Sequence, residues 1–286
     1  MWRPATILQT LEGWFAMSHK RETITAYMFL APALIIFIAL VLFPVLFSGF
    51  LSFAEWNFLS GIDGIKMVGM DNFRRLFNDR LFNFALRNTF VYTITTVPVT
   101  LLLSLTLAYA LNRQIFLKKT LRLMYFTPFI SSTVALAAVF KYLFRETNGP
   151  INAILGGVFG VENLPRWLSD SNLNRIPIIM LLIWTGIGFQ LLIYMAALQD
   201  IDKSLYEAAD IDGASEFKKF LKITVPMISP TTFYLTIVRM IAVFKVFTSV
   251  NVISYGTAAR SNTSMVVRIY AEAFGSYKFG YASAMA

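Results

Sequence analysis

The sequence predicts an all-α protein, a polytopic bundle of transmembrane helices in which five spans are visible. Composition is the first reason: hydrophobic residues make up 57% of the 286 residues and charged residues only 14%, whereas about a quarter of the residues of a soluble domain are charged. Long runs without any charged side chain are the second reason. In lipid such runs must fold as helices, because no water is available to the backbone.

Four uncharged runs are each long enough to cross a bilayer, which takes about 20 helical residues. They are 23–54, 88–112, 123–140 and 176–199. A fifth span is predicted over 223–254, although Arg239 and Lys245 interrupt it. Prolines inside or beside the spans are expected either to kink the helices or to reflect plain packing variety: Pro44, Pro98, Pro128, Pro177, Pro226 and Pro230.

Basic residues between the spans predict the orientation of the chain, since Lys and Arg favour cytoplasmic loops. Segment 113–122 is rich in basic residues and has no acidic one, so we expect it in the cytoplasm. Alternation of the spans then places the N-terminus and the 200–222 loop in the cytoplasm as well. The net charge of +9 is therefore interpreted as a topology signal, and no nucleic-acid partner is predicted.

Residues 1–22 are predicted to form a cytoplasmic segment with a short helix on the membrane surface, because Ile7, Leu11 and Phe15 recur at helical spacing. A disordered tail is the alternative. The first uncharged run exceeds the apolar part of a signal peptide, about 7 to 15 residues, which favours an uncleaved anchor. Residues 23–286 are predicted to form a single transmembrane domain.

No chemistry by the chain itself is indicated. The sequence has no cysteine, which excludes disulfides, thiolate metal sites and a catalytic thiol, and His19 is the only histidine. No G-x-x-x-x-G-K-[ST] phosphate loop occurs, so any ATP hydrolysis must belong to another polypeptide. The sequence therefore predicts no catalytic residue, no metal site and no bound cofactor.

The segment 200–226 is charged and lies between two apolar runs. Ser204 and Glu207 have the spacing of a capping box, which predicts a helix starting at Leu205, and Gly213 is placed to end it. Acidic residues dominate its first half, and an anionic lipid surface would repel them. A protein partner is therefore favoured over the membrane surface. An amphipathic helix is predicted after the glycine, with Ala214, Phe217, Phe220 and Leu221 on one face and Glu216, Lys218, Lys219 and Lys222 on the other.

This segment resembles the membrane subunits of bacterial binding-protein-dependent ABC importers. Their pattern is Glu-Ala-Ala, three residues, Gly, nine residues, Ile, one residue, Leu, Pro. The chain matches it in register at Glu207, Ala208, Ala209, Gly213, Ile223 and Pro226, with Val225 in place of the usual Leu. Other stretches are similar to the carbohydrate-uptake branch, which includes maltose and glycerol-phosphate permeases: 71–93, 121–144, 148–155 and 269–284.

Two features depart from that family. Many relatives have a Thr-x-Gly-Gly-Pro turn where residues 254–259 read SYGTAA, so no detail of that loop is carried over. Relatives also continue from the stretch at 280–284 into a final span. The resemblance therefore predicts a truncated sixth helix.

The resemblance implies a multi-pass protein of the bacterial inner membrane that moves a sugar or sugar-like solute by alternating access. It implies as partners a second permease subunit, two ATPase subunits that bind ATP and Mg, and an extracytoplasmic solute-binding protein. Residues 200–226 would be the coupling segment, which docks in a cleft on an ATPase subunit. The residues implied in coupling are Glu207, Ala208, Ala209, Asp210, Gly213, Ala214, Phe217, Phe220 and Pro226. Capping alone for Glu207 and a plain helix stop for Gly213 are the alternatives.

The solute pathway is expected to be lined by polar side chains inside the spans, because such side chains are costly in lipid. Arg239 is the first candidate, and Gln190 and Tyr194 share one face of the fourth span. Hydrogen bonding between helices is the alternative for these three residues. The remaining candidates are Lys245, for which snorkelling to the interface is the alternative, Asn251 and Trp184.

Two other classes of function are possible. A multispan enzyme acting on lipid-linked or polyprenyl-linked sugars would need an acidic or histidine cluster at a membrane edge. A cation-driven carrier would need carboxylates inside the membrane. Neither feature occurs, since the five predicted spans contain no Asp or Glu. The identity of the solute stays open among sugars, sugar alcohols and glycerol phosphate esters.

Overall fold

The structure is a computed structural model that describes residues 22–112, 118–254 and 260–286. Predictions made for residues 1–21, including His19, for residues 113–117 and for the loop at 255–259 lie outside the described residues. The described chain is mainly helical, and its one sheet has two strands. Two compact units are distinguished: one runs up to Asn72 and includes Tyr277–Ala284, and the other comprises Phe73–Ser276 with Met285–Ala286.

The described elements follow one another along the chain in this order: α1 (Glu22–Leu51), β1 (Ala54–Glu55), β2 (Lys66–Met67), α2 (Asp71–Asn78), α3 (Arg80–Asn112), α4 (Lys118–Ile130), α5 (Thr133–Leu143), α6 (Pro150–Gly157), α7 (Ile176–Gln199), α8 (Lys203–Ile211), α9 (Glu216–Met227), α10 (Ser229–Phe244), α11 (Thr248–Ser254), α12 (Met265–Tyr270) and α13 (Phe279–Met285). Short 3-10 turns lie at Phe58–Ser60, Ile62–Gly64 and Arg260–Asn262, and a π-helical turn, Ala271–Gly275, continues α12.

The first unit contains α1, whose apolar side chains are exposed along its length. A widened π-helical turn, Ile38–Leu42, lies within α1 just before Pro44. Proline has no N–H for the helical ladder and its ring crowds the carbonyl of the preceding turn, and a π-helical turn is one way in which a helix accommodates such a break. The first predicted span is thus one helix with an altered middle turn.

A small sheet follows α1 in the same unit. Ala54 of β1 pairs with Met67 of β2 in antiparallel register. The buried Asn72 side chain donates hydrogen bonds to the carbonyls of Ser52 and Ala54, at 3.0 and 2.9 Å. Gly280 also lies against the Ala54 carbonyl, where a Cβ atom would come within 2.0 Å. These contacts fix the chain immediately after α1.

The core of the second unit is formed mainly by α3 and α7, which pack along each other, with α4 and α10 beside them. Small residues permit the close approach that membrane helices need. A Cβ on Gly188 of α7 would lie 2.7 Å from the carbonyl oxygen of Tyr125 in α4. The Ser104 hydroxyl of α3 donates to the carbonyl of Ile187, at 3.3 Å. The fully buried side chains of this core include Tyr92, Leu181, Leu191, Tyr194 and Leu235.

The fourth predicted span is confirmed residue for residue by α7, and the second is contained in α3, which begins eight residues earlier, at Arg80. Within the described residues, three helices are long and apolar enough to cross a membrane, and up to five if each of two bent pairs counts as one span. The prediction of an all-α polytopic bundle is thus confirmed.

The third and fifth predicted spans are not single helices. α4 and α5 meet at 97°, because Ser132 leaves the helical conformation between them. α9 and α10 meet at 68° around Ile228. There Pro230 has no N–H to donate to the carbonyl of Pro226, so the ladder is interrupted. α10 then ends at Phe244, which separates α11 from it and makes the prediction of one helix over 223–254 wrong.

Candidate functional site

The coupling segment, residues 200–226, begins with α8. Asp202 is the residue that caps this helix: its carboxylate accepts the backbone N–H of Ser204 at 2.9 Å. This hydrogen bond holds the pKa of Asp202 below its ordinary value, because it stabilises the charged form. The predicted capping box of Ser204 and Glu207 is therefore wrong, since an acidic cap two residues earlier starts the helix. Glu207 has no part in the cap, and its side chain is exposed.

A left-handed turn ends α8. The last helical residue is Ile211, and Gly213 adopts a φ of +68°. The N–H of Ala214 donates to the carbonyl of Ala209 at 2.9 Å and so closes the helix end. Because a side chain at this φ is strained, glycine is the residue that suits the turn. The prediction that Gly213 ends the helix is confirmed.

The second helix of the segment, α9, folds back beside α8. Its predicted faces are partly wrong: Lys219 is only 7% exposed, whereas Phe217 is 71% exposed. Lys219 Nζ lies 2.5 Å from Asp210 Oδ1 and 2.7 Å from Glu216 Oε1. Carboxylates from both helices thus surround the ammonium group, an arrangement that a helical wheel of α9 alone does not contain.

The inner side of α9 packs on α3. The rings of Phe220 and Tyr109 form an edge contact with centroids 4.9 Å apart. The hydroxyl of Tyr109 also donates to Glu216 Oε2 at 3.1 Å. Within α9 itself, a π-helical turn, Phe220–Thr224, precedes Pro226, as the corresponding turn of α1 precedes Pro44. The coupling segment is therefore anchored to a transmembrane helix that is not its neighbour along the chain.

The outer side of the coupling segment presents polar and apolar side chains together. Among the predicted coupling residues, the exposed ones are Glu207, Ala208, Asp210, Gly213, Phe217 and Pro226, and the half-buried ones are Ala209, Ala214 and Phe220. Ile211 is 88% exposed and was missed by sequence reasoning. The sequence contained a signal for this exposure. Ile211 stands between two aspartates beside the glycine that ends the helix, so α8 has no following turn that could cover its side chain.

A cavity of about 270 Å³ brings together two of the predicted pathway residues, Gln190 of α7 and Arg239 of α10. Arg239 is 9% exposed, and its guanidinium donates a hydrogen bond to the carbonyl of Leu182. Gln190 is 3% exposed, and its Oε1 accepts no hydrogen bond from the described residues. The other lining residues are Phe129, Thr185, Gly186, Phe189, Val238 and Ala242.

The remaining pathway candidates lie elsewhere. Tyr194 is fully buried and donates to Thr232 Oγ1 at 3.2 Å, which is the bond between helices named as the alternative. Trp184 stacks on Phe140, with ring centroids 5.6 Å apart. Lys245 is exposed at the end of α10, and Asn251 is half-buried in α11. None of these four lines the cavity.

Two aromatic rings of the cavity were missed by sequence reasoning. Phe129 of α4 and Phe189 of α7 have centroids 5.5 Å apart and an interplanar angle of 30°. Phe189 is the sequence neighbour of Gln190, but Phe129 reaches the cavity only through the close approach of α4 to α7. Among the described residues, no group of His, Cys, Asp and Glu side chains could hold a metal ion.

An all-α membrane bundle with a bent, charged segment between two of its spans is an architecture that suits a membrane-embedded transport subunit. A family model described as "Binding-protein-dependent transport system inner membrane component" matches residues 88–283. The chain belongs to this family. It is the transmembrane permease subunit of an ABC importer and an inner-membrane component, and ATP hydrolysis belongs to separate subunits.

Curated relatives agree with this assignment. The chain is 32% identical over 248 residues to the lactose transport system permease protein LacF of Rhizobium radiobacter, covering 86% of this chain and 82% of that protein. It is 30% identical over 277 residues to the arabinooligosaccharides transport system permease protein AraP of Bacillus subtilis, covering 96% and 86%. The predicted resemblance to the carbohydrate-uptake branch is thus confirmed.

The fold is similar to that of a solved transporter. The structure of a bacterial alginate ABC transporter, in complex with a periplasmic protein bound to an alginate pentasaccharide, contains a chain that superimposes with a TM-score of 0.79. The match covers 94% of this chain and 89% of that chain at 23% sequence identity. At this identity the likeness bears on the fold alone.

Proposed function

We propose that this permease subunit carries a sugar or a sugar-like solute across the inner membrane by alternating access. The names of its relatives support this solute class, because they are permeases for lactose and arabinooligosaccharides. The complete importer would contain a second permease subunit, two ATPase subunits that bind ATP and Mg, and an extracytoplasmic solute-binding protein. This chain would form part of the pathway and receive its driving force from the ATPases.

The coupling segment is proposed to be the part that receives that force. The main support for this proposal is that Glu207, Ile211 and Phe217 are exposed. The helices that bear them are joined to α3 on their inner side, through the contacts with Tyr109. Exposed apolar side chains beside an acidic one suit a protein surface with an apolar cleft and a basic rim. Closure of the ATPases on ATP would move the segment, and α7 and α10, which flank it in the chain, would move with it.

This role fixes the proposed orientation. A segment that docks on a cytoplasmic ATPase must lie on the cytoplasmic side of the membrane. The alternation of spans then also places the N-terminus in the cytoplasm, in agreement with the basic residues of segment 113–122. Arg80, at the start of α3, would lie towards the opposite side, since α3 is about 50 Å long at about 1.5 Å per residue.

The cavity between α4, α7 and α10 is proposed to contact the solute. Arg239 and Gln190 offer hydrogen-bonding groups for hydroxyls, and the buried Oε1 of Gln190 still needs a donor. Phe129 and Phe189 offer flat apolar surfaces for the face of a sugar ring. Arg239→Gln is expected to raise the KM for uptake by roughly 10- to 100-fold, because a hydrogen bond to a charged group contributes about 1.5–3 kcal/mol. Arg166→Gln, at an exposed arginine outside the cavity, is the matched control, and an unchanged KM in Arg239→Gln would contradict the solute contact.

Co-purification tests the proposed assembly. The chain should be solubilised from its native membrane under mild conditions and its bound partners identified. We expect an ATPase subunit with a phosphate-binding loop, together with a second permease chain. A folded preparation of this chain that retains a different enzyme and no ATPase would overturn the proposal.

A further inference from the structure

Four polar side chains form a continuous link from the coupling segment to α3. Asp210 of α8 binds Lys219 of α9 at 2.5 Å, Lys219 binds Glu216 at 2.7 Å, and Glu216 accepts the hydroxyl of Tyr109 at 3.1 Å. Each donor in this link has an acceptor within hydrogen-bonding distance. The link therefore joins α8, α9 and α3 by side-chain contacts alone.

The position of Lys219 explains why the link holds the two short helices together. The left-handed turn at Gly213 is the covalent connection between α8 and α9. Lys219 lies three residues beyond Glu216, the first residue of α9, and reaches back to Asp210 near the end of α8. Its side chain is 7% exposed and lies beside two carboxylates, whose own side chains are 60% and 53% exposed.

Tyr109 places the other end of the link on a helix that the chain path does not connect to the coupling segment. The segment continues from α7 and leads into α10, whereas Tyr109 lies in the last turn of α3. α3 packs along α7 through much of its length. The ring contact with Phe220 adds an apolar contact at the same place. Movement of the segment would thus reach α3 directly.

We propose that Lys219 is a positioning residue for energy coupling: with Asp210, Glu216 and Tyr109 it makes α8 and α9 move as one body and transmits their movement to α3. This inference rests on the proposed docking of the coupling segment on an ATPase. It adds a route to α3 beside the two covalent routes through α7 and α10. Docking itself does not depend on it.

The test compares solute uptake with ATP hydrolysis in the complete importer reconstituted in liposomes. Lys219→Met keeps the length of the side chain and removes its charge, and it leaves Asp210 and Glu216 to repel each other. We expect the amount of solute moved per ATP to fall severalfold, because α8 and α9 would no longer be held together and part of their movement would not reach α3. Lys219→Arg should recover most of the ratio. Lys222→Met is the matched control in the same helix, because Lys222 is exposed.

Tyr109→Phe provides a second variant in case Lys219→Met fails to assemble. It removes one hydroxyl and keeps the ring on Phe220, so folding should be retained while solute moved per ATP falls in the same direction. An unchanged ratio in assembled Tyr109→Phe and Lys219→Met importers would overturn the inference. Cross-linking of an Ala208→Cys chain to the ATPase separates the two claims: if it occurs while the ratio is unchanged, docking stands and the link fails, and if it is absent, docking itself fails.

Discussion

The guanidinium of Arg239 lies directly against the backbone of Gly186, where a Cβ atom would come within 2.5 Å of its Nη2. The missing side chain on α7 is what lets the arginine of α10 reach the carbonyl of Leu182. The buried guanidinium is thus held at the helix interface by a backbone acceptor. It occupies space that exists because residue 186 has no side chain. This relationship places Arg239 at the wall of the cavity.

Gly186→Ala is expected to displace the guanidinium and leave the helix packing largely intact, because the crowded atoms are the far end of a flexible side chain. Uptake should fall markedly, while the melting temperature of the purified importer should change little. Gly157→Ala is the control, since a Cβ there meets nothing within 4 Å. Full uptake by the Gly186→Ala importer would show that the position of Arg239 is unimportant for transport.

Phe217 and Phe220 are expected to respond oppositely to substitution by serine. Phe217 is 71% exposed, so Phe217→Ser should weaken binding of the ATPase without lowering the stability of the permease. Phe220 packs on Tyr109, so Phe220→Ser should destabilise the permease by about 2 kcal/mol, less than for a fully buried ring. Thermal unfolding and ATPase pull-down of each variant check this, and a reversed pattern would contradict the assignment of the two faces.

Asp202 is expected to make the start of α8 sensitive to acid. Its pKa is lowered in the folded state by the N–H of Ser204, so its stabilising contribution is present above the unfolded pKa and is lost as the pH falls through the folded value. The window thus lies below the ordinary pKa of 3.8. Amide hydrogen exchange at Ser204 and Leu205, corrected for intrinsic rates, should lose protection there.

Asp202→Asn is the control for this titration, because its amide oxygen also caps a helix but carries no titratable charge. It should show no acid-dependent loss of protection. Equal pH dependence in the two proteins would assign the effect to another group.

The sequence predicted the helices whose boundaries depend on local composition. α7 matches its uncharged run, because the lipid-facing and core-facing residues of this spanning helix all lack charge. The break in the third predicted span was not visible, since serine is compatible with a helix and nothing in the sequence shows that Ser132 leaves the helical conformation. The break in the fifth span had a visible signal, because Pro230 stands two residues beyond Ile228, where α9 and α10 meet. Proline marked several spans, but not all of them bend sharply: Pro98 lies inside the unbroken α3.

The residues of the candidate sites also divide into those that follow from local sequence and those that depend on contacts between helices. Gly213 follows from local pattern, and the structure confirms that it ends α8. Glu207 is exposed, its predicted capping role is wrong, and its docking role stays a prediction. The burial of Lys219 depends on α8, and the aromatic wall of the cavity depends on the approach of α4 to α7, so neither could be derived from one helix. Of the pathway candidates, Gln190 and Arg239 meet at the cavity because α7 and α10 are neighbours in space, which the spacing in sequence does not reveal.

Glu207→Lys is expected to abolish uptake while the chain still inserts in the membrane. The added positive charge would face the basic group proposed on the ATPase, and like charges at an interface are repelled. Glu162→Lys, the same change at another exposed glutamate, should transport normally. Both variants are checked by uptake and by quantifying the chain in isolated membranes. Normal uptake in Glu207→Lys would refute the docking role of this residue.

Site-directed cross-linking tests the docking of the coupling segment most directly. The chain has no cysteine, so a single cysteine at position 208 gives a unique attachment point for a short thiol-to-amine cross-linker. In membranes containing the whole importer, Ala208→Cys is expected to form a covalent adduct with the ATPase subunit, and Gly157→Cys in α6 is not. The absence of an ATPase adduct from position 208 in assembled importers would contradict the account.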